Sequence, residues 1–287
     1  MDPIITSTLC IGGIGLVSAT ALAVAEKFFS VQEDPRIAKV TDMLPGANCG
    51  GCGYAGCAAY AKSIIMDDAA CNLCAPGGSA CSTAIASFLG RVAASVEKRT
   101  AIVLCCGDNT HAIRRATYNG ITDCAAAQAT AGGDKGCTYG CLGYGSCARV
   151  CPVQAITVIN GIAKVDKLRC IACGKCVDIC PRKIIKLVPA SAEIHVLCSS
   201  KDKGPAVKKV CSTGCIGCRI CTKLADGAIS MDGFLAVVDY SKPLTNEEVI
   251  SKCPGHCIQK DGFRQGDKPT GSKDMNPTKP DTQGALV

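Results

Sequence analysis

The segment "CIACGKCVDICP", residues 170–181, contains four cysteines followed by a proline. Its spacing, C-x2-C-x2-C-x3-C-P, is typical of chains that hold two iron–sulfur clusters, in which three thiolates bind one cluster and the fourth binds the other. Such a run needs a partner, and "CTYGCLGYGSCARVCP" at residues 137–152 provides one. The two runs together predict a two-cluster module.

Exchanging the fourth ligand between the runs predicts two ligand sets. They are Cys137, Cys141 and Cys147 with Cys180, and Cys151 with Cys170, Cys173 and Cys176. Zinc also binds four thiolates, but it rarely uses such crossed spacing. The stretch between the runs, "AITVINGIAKVDK", alternates apolar and polar residues and predicts a β-hairpin that turns at Asn160-Gly161.

The chain then repeats part of this module. "VLC" occurs at 103–105 and at 196–198, and "DKGCTYGC" at 134–141 matches "VKKVCSTGC" at 207–215. In the second copy Pro243, Asn246 and Val249 stand where the first has Cys170, Cys173 and Cys176, and the counterpart of Cys151 falls in "LADG". One complete ligand set is missing, so we expect one cluster in the second copy. Its predicted ligands are Cys215, Cys218, Cys221 and Cys253, with Cys211 as an alternative to Cys218.

A different cysteine pattern lies nearer the amino terminus. "NCGGCGYAGC" at residues 48–57 precedes "CAPGG" at 74–78, which gives C-x2-C-x4-C-x16-C from Cys49, Cys52, Cys57 and Cys74. The glycines allow the backbone to bend closely around a ligand. Zinc is the alternative to an iron–sulfur cluster, and Cys71 and Cys81 compete with Cys74 as fourth ligand. Before this pattern, "DPRIAKVTDMLPG" predicts a short helix capped by Asp34.

The remaining cysteines match no known ligand spacing. Cys105, Cys106, Cys124 and Cys198 are predicted to be small buried thiols, with a fifth metal site as the alternative, and Cys257 is predicted not to be a ligand. The total of 25 cysteines is odd, which argues against complete pairing in disulfides.

The first residues are strongly apolar. No charge occurs from Ile4 to Ala25, a length of about 33 Å as a helix, so residues 1–30 are predicted to form a transmembrane helix. A cleaved signal peptide and a buried core helix are the alternatives. Because Lys27, Arg36 and Lys39 follow the apolar run, the positive-inside rule places the rest of the chain in the cytoplasm. That compartment is reducing and favours metal-bound thiolates over disulfides.

The charge of the chain restricts its partners. A net charge of +7 suits an acidic protein or an anionic membrane surface. We expect no nucleic acid, because the basic residues are scattered and aromatic residues make up 4% of the chain. No Gly-rich nucleotide motif follows a strand, so no dinucleotide site is expected.

The predicted fold class is α+β. It consists of a transmembrane anchor (1–30), a four-cysteine domain (31–92), a two-cluster ferredoxin-like module (93–190), a one-cluster ferredoxin-like module (191–263) and a flexible tail (264–287). The cofactor prediction is four [4Fe–4S] clusters.

The wording "LPGANCGGCGYAGC…CAPGG" resembles the iron–sulfur domain of Rnf complex B subunits and of corrinoid iron–sulfur proteins. This resemblance implies that Cys49, Cys52, Cys57 and Cys74 bind one [4Fe–4S] cluster. The order of anchor, four-cysteine domain and ferredoxin-like modules is similar to that of the longer Rnf B subunits, up to about residue 260.

The Rnf resemblance implies an electron-relay subunit of a membrane-bound ferredoxin:NAD oxidoreductase that translocates Na⁺ or H⁺. Its expected partners are soluble ferredoxin as electron donor and the other membrane subunits, one of which holds the NAD site. It is expected on the cytoplasmic side of the inner membrane, as a single-pass protein. The alternatives are an iron–sulfur scaffold or storage protein and a zinc-binding structural protein.

Overall fold

The chain begins with a long helix, α1, over Pro3–Phe29. The computed structural model describes residues 3–29, 34–92 and 97–261. No helix within these ranges combines the length and the apolar character needed to cross a bilayer, so the fold-class prediction of a transmembrane helix in residues 1–30 is wrong. Glycines and hydroxyl residues interrupt the apolar side chains of α1, and the Thr20 hydroxyl donates to the carbonyls of Leu16 and Val17. The predicted tail, 264–287, lies outside the described residues.

Three helices build the first cysteine-containing region. They are α2 (Pro35–Met43), α3 (Cys57–Met66) and α4 (Gly78–Phe88). As the sequence predicts, the Asp34 side chain caps α2 by accepting from the Arg36 N–H at 2.8 Å. Val40, Tyr60, Ile64 and Ile85 meet in one apolar cluster, which holds the three helices together.

The next region contains two antiparallel strand pairs and three short helices. In chain order these are β1 (Arg99–Val103), α5 (Cys124–Ala129), α6 (Ser146–Arg149), β2 (Ile156–Ile159), β3 (Ile162–Val165), α7 (Lys175–Ile179) and β4 (Ile185–Pro189). β1 pairs with β4, with Val103 opposite Ile185. β2 pairs with β3 in the predicted hairpin, where Asn160 and Gly161 both have positive φ. We call residues 99–189 the first copy.

The second copy, residues 194–260, repeats this pairing. Its elements are β5 (Ile194–Val196), α8 (Gly204–Val210), α9 (Ile220–Leu224), β6 (Ile229–Asp232), β7 (Leu235–Val238), α10 (Glu248–Ser251) and β8 (Ile258–Lys260). β5 pairs with β8 and places Val196 opposite Ile258, while β6 pairs with β7. The outer and inner strand pairs therefore have the same order in both copies.

Each copy has its own apolar cluster, and cysteines form part of both. A small cluster of Ile102, Val188 and Leu197 lies between the copies, with Cys106 and Tyr240 packed against it. Pairs of strands this short are marginally stable on their own. Their stability therefore depends on the apolar clusters, to which the buried cysteines contribute.

Candidate metal centres

All 24 cysteines in the described side chains are free thiols, and Cys218 is the one among them that is exposed. The described residues hold no group of three or more His, Cys, Asp or Glu side chains arranged around a single metal ion. A [4Fe–4S] cubane is larger than an ion, and its four thiolates stand at separate corners. The sites are therefore best described by the hollows and contacts that the cysteines share.

In the first region, Cys74 lies close to Cys49 and Cys57. Burial raises the pKa of the Cys74 thiol to about 11, and the negative charges of Cys57 and Cys49 act in the same direction. The Asn48 side chain accepts from the Cys57 N–H at 2.8 Å and holds the glycine-rich loop against the start of α3. The structure thus gathers cysteines from both ends of α3.

Tyr60 fixes the loop that leads to Cys74. Its hydroxyl donates to the Ala70 carbonyl at 2.6 Å and accepts from the Leu73 N–H at 3.1 Å. The competing cysteines have other partners, since the Cys81 thiol donates to the Met43 carbonyl and Cys71 lies 3.9 Å from an Arg91 guanidinium nitrogen. The contact with Arg91 sets Cys71 apart, whereas the Cys81 sulfur lies beside that of Cys74 and stays the alternative to it.

The first copy brings Cys151, Cys170, Cys173 and Cys176 together. Burial raises the pKa of Cys176 to about 12, and the charges of the other three raise it further. Backbone N–H groups of Ala155 and Ala101 donate to the sulfurs of Cys151 and Cys170, at 3.2 and 3.4 Å. N–H donors of this kind stabilise a thiolate.

A second hollow in the first copy has a different lining from the predicted one. Its four cysteines are Cys124, Cys141, Cys147 and Cys180, and it encloses about 360 Å³ of empty space, including open solvent. Burial raises the pKa of Cys147 to about 12, and the charges of Cys141 and Cys124 add to this effect. Three of the predicted ligands meet here, but Cys124 occupies the place expected for Cys137.

Hydrogen bonds between α5 and α6 hold Cys124 in this position. Asp123 caps α5, and its carboxylate accepts from the Ser146 hydroxyl at 2.7 Å and from Arg149 at 3.0 Å. The Ser146 hydroxyl in turn accepts from the Cys124 N–H at 2.8 Å. These hydrogen bonds lower the pKa of Asp123, chiefly through Ser146. Ligand spacing gave no signal for Cys124, because a long loop separates it from Cys141.

Cys137 lies instead in a third hollow, between the two copies. The cysteines that line it are Cys105, Cys106, Cys137, Cys198 and Cys211, and the empty space is about 390 Å³, including open solvent. Burial raises the pKa of Cys105 to about 12 and that of Cys198 to about 11. The sequence alone predicts that three of these cysteines, Cys105, Cys106 and Cys198, are small buried thiols.

The second copy has a hollow of about 340 Å³, including open solvent, lined by Cys215, Cys218, Cys221, Cys253 and Cys257. All four predicted ligands are present, and Cys211, the alternative to Cys218, lies in the third hollow. The sulfurs of Cys253 and Cys257 are 3.7 Å apart. Hydrogen bonds from the Cys257 thiol lower the pKa of Cys253 to about 5 and that of Cys215 to about 6.

Comparisons with known proteins agree with this cysteine chemistry. A family model for an Fe–S cluster matches residues 44–76, and a model for a 4Fe-4S dicluster domain matches residues 133–181. The first match covers the glycine-rich loop and Cys74, and the second covers both runs of the two-cluster module.

Curated relatives cover most of the chain. The B subunit of the Na(+)-translocating ferredoxin:NAD(+) oxidoreductase complex of Acetobacterium woodii is 43% identical over 91% of this chain and 79% of its own length. The B subunit of the ion-translocating oxidoreductase complex of Methanosarcina acetivorans is 42% identical over 89% of this chain and 98% of its own. The B subunit of the proton-translocating ferredoxin:NAD(+) oxidoreductase complex of Clostridium ljungdahlii is 40% identical over 90% and 93%. With this identity over nearly its whole length, the chain belongs to the family of B subunits of ion-translocating ferredoxin:NAD(+) oxidoreductase complexes.

Proposed function

We propose that this chain is the electron-carrying subunit of an ion-translocating ferredoxin:NAD(+) oxidoreductase complex. The observation that carries the proposal is the grouping of free cysteines in sets of four, in a chain that belongs to this family of B subunits. The donor sets fit [4Fe–4S] clusters, because two of them line a hollow each and sulfurs of a third receive backbone N–H bonds.

The proposed ligand sets follow the sequence with one change. They are Cys49, Cys52, Cys57 and Cys74; Cys151, Cys170, Cys173 and Cys176; Cys124, Cys141, Cys147 and Cys180; and Cys215, Cys218, Cys221 and Cys253. When bound, a [4Fe–4S] cluster accepts and releases one electron at a time. The change places Cys124 where the sequence suggested Cys137, and it rests on the hollow that Cys124 lines.

The chain's own residues would tune these sites. Apolar side chains of both copies pack against many of the cysteines and limit their contact with water. N–H groups such as those of Ala101 and Ala155 donate to the sulfurs and stabilise negative charge. Hydrogen bonds to sulfur and solvent exposure both affect the reduction potential of an iron–sulfur site. These contacts would therefore determine which site an electron occupies.

The first region touches the first copy close to a proposed ligand. A Cβ atom added at Gly51 would lie 2.8 Å from the carbonyl oxygen of Cys173, so the two backbones are in direct contact. The charge of Cys49 also affects the thiol of Cys173. This contact supports a connected series of sites that begins in the glycine-rich loop.

We assign electron exchange with soluble ferredoxin to the surface of the second copy around Cys218. Cys218 is exposed there, and the exposed Arg219 and Lys223 follow it in the chain. Basic side chains would attract an acidic partner and speed association. Because ion translocation takes place across a membrane, we place the chain in a membrane-bound complex, on the cytoplasmic side, held by the other subunits.

The test uses full-length chain purified without oxygen. We expect a brown protein that contains iron and acid-labile sulfide, and whose visible absorbance bleaches when reduced ferredoxin is added. A colourless protein that contains zinc would overturn the proposal in favour of a structural role. Iron that ferredoxin cannot reduce, but that passes to an apo-protein acceptor, would favour a cluster scaffold instead.

A further inference from the structure

The hollow between the two copies contains thiols that the four proposed ligand sets leave unused. Its size, about 390 Å³ of empty space including open solvent, is close to the 360 and 340 Å³ of the two neighbouring cysteine-lined hollows. Cys105 and Cys137 reach it from the first copy, and Cys198 and Cys211 from the second. Each copy therefore contributes two thiols.

These four cysteines occupy equivalent places in the repeat. Cys105 and Cys198 each end a "VLC" segment that begins in the outer strand pair, and Cys137 and Cys211 begin "CTYGC" and "CSTGC". The backbone contacts are equivalent as well. The Cys141 N–H donates to the Cys105 sulfur at 3.3 Å, and the Cys215 N–H donates to the Cys198 sulfur at 3.3 Å.

Glycines give the sulfurs room to meet. A Cβ atom at Gly140 would lie 3.4 Å from the Cys105 sulfur and 3.5 Å from that of Cys137. A Cβ atom at Gly107 would lie 3.1 Å from the Cys211 sulfur and 3.9 Å from that of Cys105. Sulfurs from both copies thus approach Gly107, and the two sulfurs of the first copy approach Gly140.

A short segment of the first copy connects the two backbones that hold Cys137 and Cys211. The Ile113 N–H donates to the Val210 carbonyl at 2.9 Å, and the Ile113 carbonyl accepts from the Gly136 N–H at 2.7 Å. Val210 and Gly136 directly precede Cys211 and Cys137. The two cysteines are therefore fixed by one backbone ladder and do not depend on side-chain packing alone.

A buried cation lies at the same hollow. Lys135 is 1% exposed, and its ammonium donates to the carbonyls of Gly107 and Gly161 at 3.1 and 2.8 Å. Burying a charge is unfavourable unless an opposite charge compensates it. Four thiolates around a metal cluster would supply that negative charge.

Cys106 differs from the other four. Its thiol donates to the Thr213 carbonyl at 2.9 Å, and its own carbonyl accepts from the Thr213 hydroxyl at 3.3 Å. Its equivalent in the second copy is Ser199, which is not a cysteine. Four of the five thiols therefore form equivalent pairs in the repeat, and Cys106 has no equivalent cysteine.

We propose that Cys105, Cys137, Cys198 and Cys211 hold a further [4Fe–4S] cluster between the two copies, which makes five sites in the chain. The proposal rests on the electron-carrying function proposed above. Each thiol loses its proton when its sulfur binds iron. Cys141 and Cys215 belong to the ligand sets on either side, so one N–H···S bond connects this site to each neighbour.

The experiment compares anaerobically purified full-length variants. We expect wild-type chain to contain about 20 iron atoms, at about four per cluster. Cys211→Ala, made together with Cys106→Ser so that no nearby thiol replaces it, should lose about four of them. Cys106→Ser alone is the matched control and should keep all of them.

The outcomes separate this proposal from the function on which it rests. Wild-type chain without iron would overturn both. About 16 iron atoms in wild-type chain, with no loss in the variant that combines Cys211→Ala with Cys106→Ser, would overturn the interface site alone. Zinc bound at the interface site in place of iron would overturn it as well. A reductive titration of wild-type chain needs no variant and should take up about five electrons, with four as the contradicting result.

Discussion

The two copies fill the same place in the fold differently, the first with four thiols and the second without them. In the first, Cys151, Cys170, Cys173 and Cys176 lie close to one another. In the second, the positions of Cys170, Cys173 and Cys176 hold Pro243, Asn246 and Val249, and Ala225 lies in the "LADG" segment. Val249 and Ala225 are 1% and 3% exposed, and the Asn246 amide donates to the Leu224 carbonyl at 2.9 Å. Apolar packing and one hydrogen bond fill the place of four thiols.

This difference shows what each ligand set contributes to the fold. The strand pairs keep the same register in both copies, so the missing set is not required for pairing. Cys176 and Val249 are both buried. If the proposed ligand set binds its cluster, the first copy fills this part of its core with the cluster and the second with an aliphatic side chain. Only the second core would then survive loss of metal.

Removal of iron should have the largest effect and should fall unequally on the two copies. We expect a chelator and a reductant to reduce hydrogen-exchange protection at Val177 in α7 by at least tenfold, about 1.4 kcal/mol. Ile250 in α10 should lose less, because Val249 packs there without metal. Each amide donates to the carbonyl of the residue that precedes its helix, at 2.8 and 3.0 Å, so they are matched probes. Equal losses would contradict the view that packing replaced the site.

The two copies also differ in the fourth thiolate of the ligand set that both of them retain. In the proposed ligand sets the first copy takes it from Cys124 on α5, and the second from Cys218, which stands where the first has Tyr144. We expect Cys124→Ala and Cys218→Ala each to lose about four iron atoms per chain. Cys71→Ala, whose thiol lies beside Arg91, is the control and should retain its iron. Full iron content in Cys124→Ala would return Cys137 to this ligand set.

The same contrast shows how far the sequence alone leads. Local spacing predicted Cys170, Cys173 and Cys176, and the Asn160-Gly161 turn, because these features involve neighbouring residues. It did not predict Cys124, because that thiol reaches its site through the contacts of Asp123 with Ser146 and Arg149.

Local spacing could not predict the hollow between the two copies or the structure of the amino terminus. The hollow requires two copies to meet, which the repeat indicates but does not position in space. The transmembrane prediction rested on the absence of charge over Ile4–Ala25, and the described residues include no helix long and apolar enough to cross a membrane.

The apolar replacement in the second copy can be weakened directly. Val249→Ala removes buried methyl groups and should lower the free energy of unfolding by about 2 kcal/mol, with no loss of iron. Leu168→Ala, at a position that is 92% exposed, is the control and should change it by less than about 0.5 kcal/mol. Thermal unfolding of the iron-loaded proteins measures both. A loss of iron in Val249→Ala would mean that this side chain supports a neighbouring site and does not simply fill space.

The smallest expected difference concerns pH. At equivalent places in the outer strands the first copy buries Ile102 and the second His195, which is 0% exposed. Burial, followed by the nearby charge of Lys167, lowers the pKa of His195 to about 4. The folded chain therefore keeps this imidazole neutral, while the unfolded chain takes up a proton below about pH 6.5.

Stability should consequently fall as the pH drops from about 6.5 toward 4, and full stability should be present above that range. We expect His195 to account for about 1 to 2 kcal/mol of the stability lost between pH 7.5 and pH 5. His195→Ile copies the first copy and should remove that part of the pH dependence. Thermal unfolding of both proteins at the two pH values measures the difference, in which any acid effect on the clusters cancels. Parallel losses in wild type and variant would show that His195 accepts its proton within the folded chain, and that the copies do not differ in this respect.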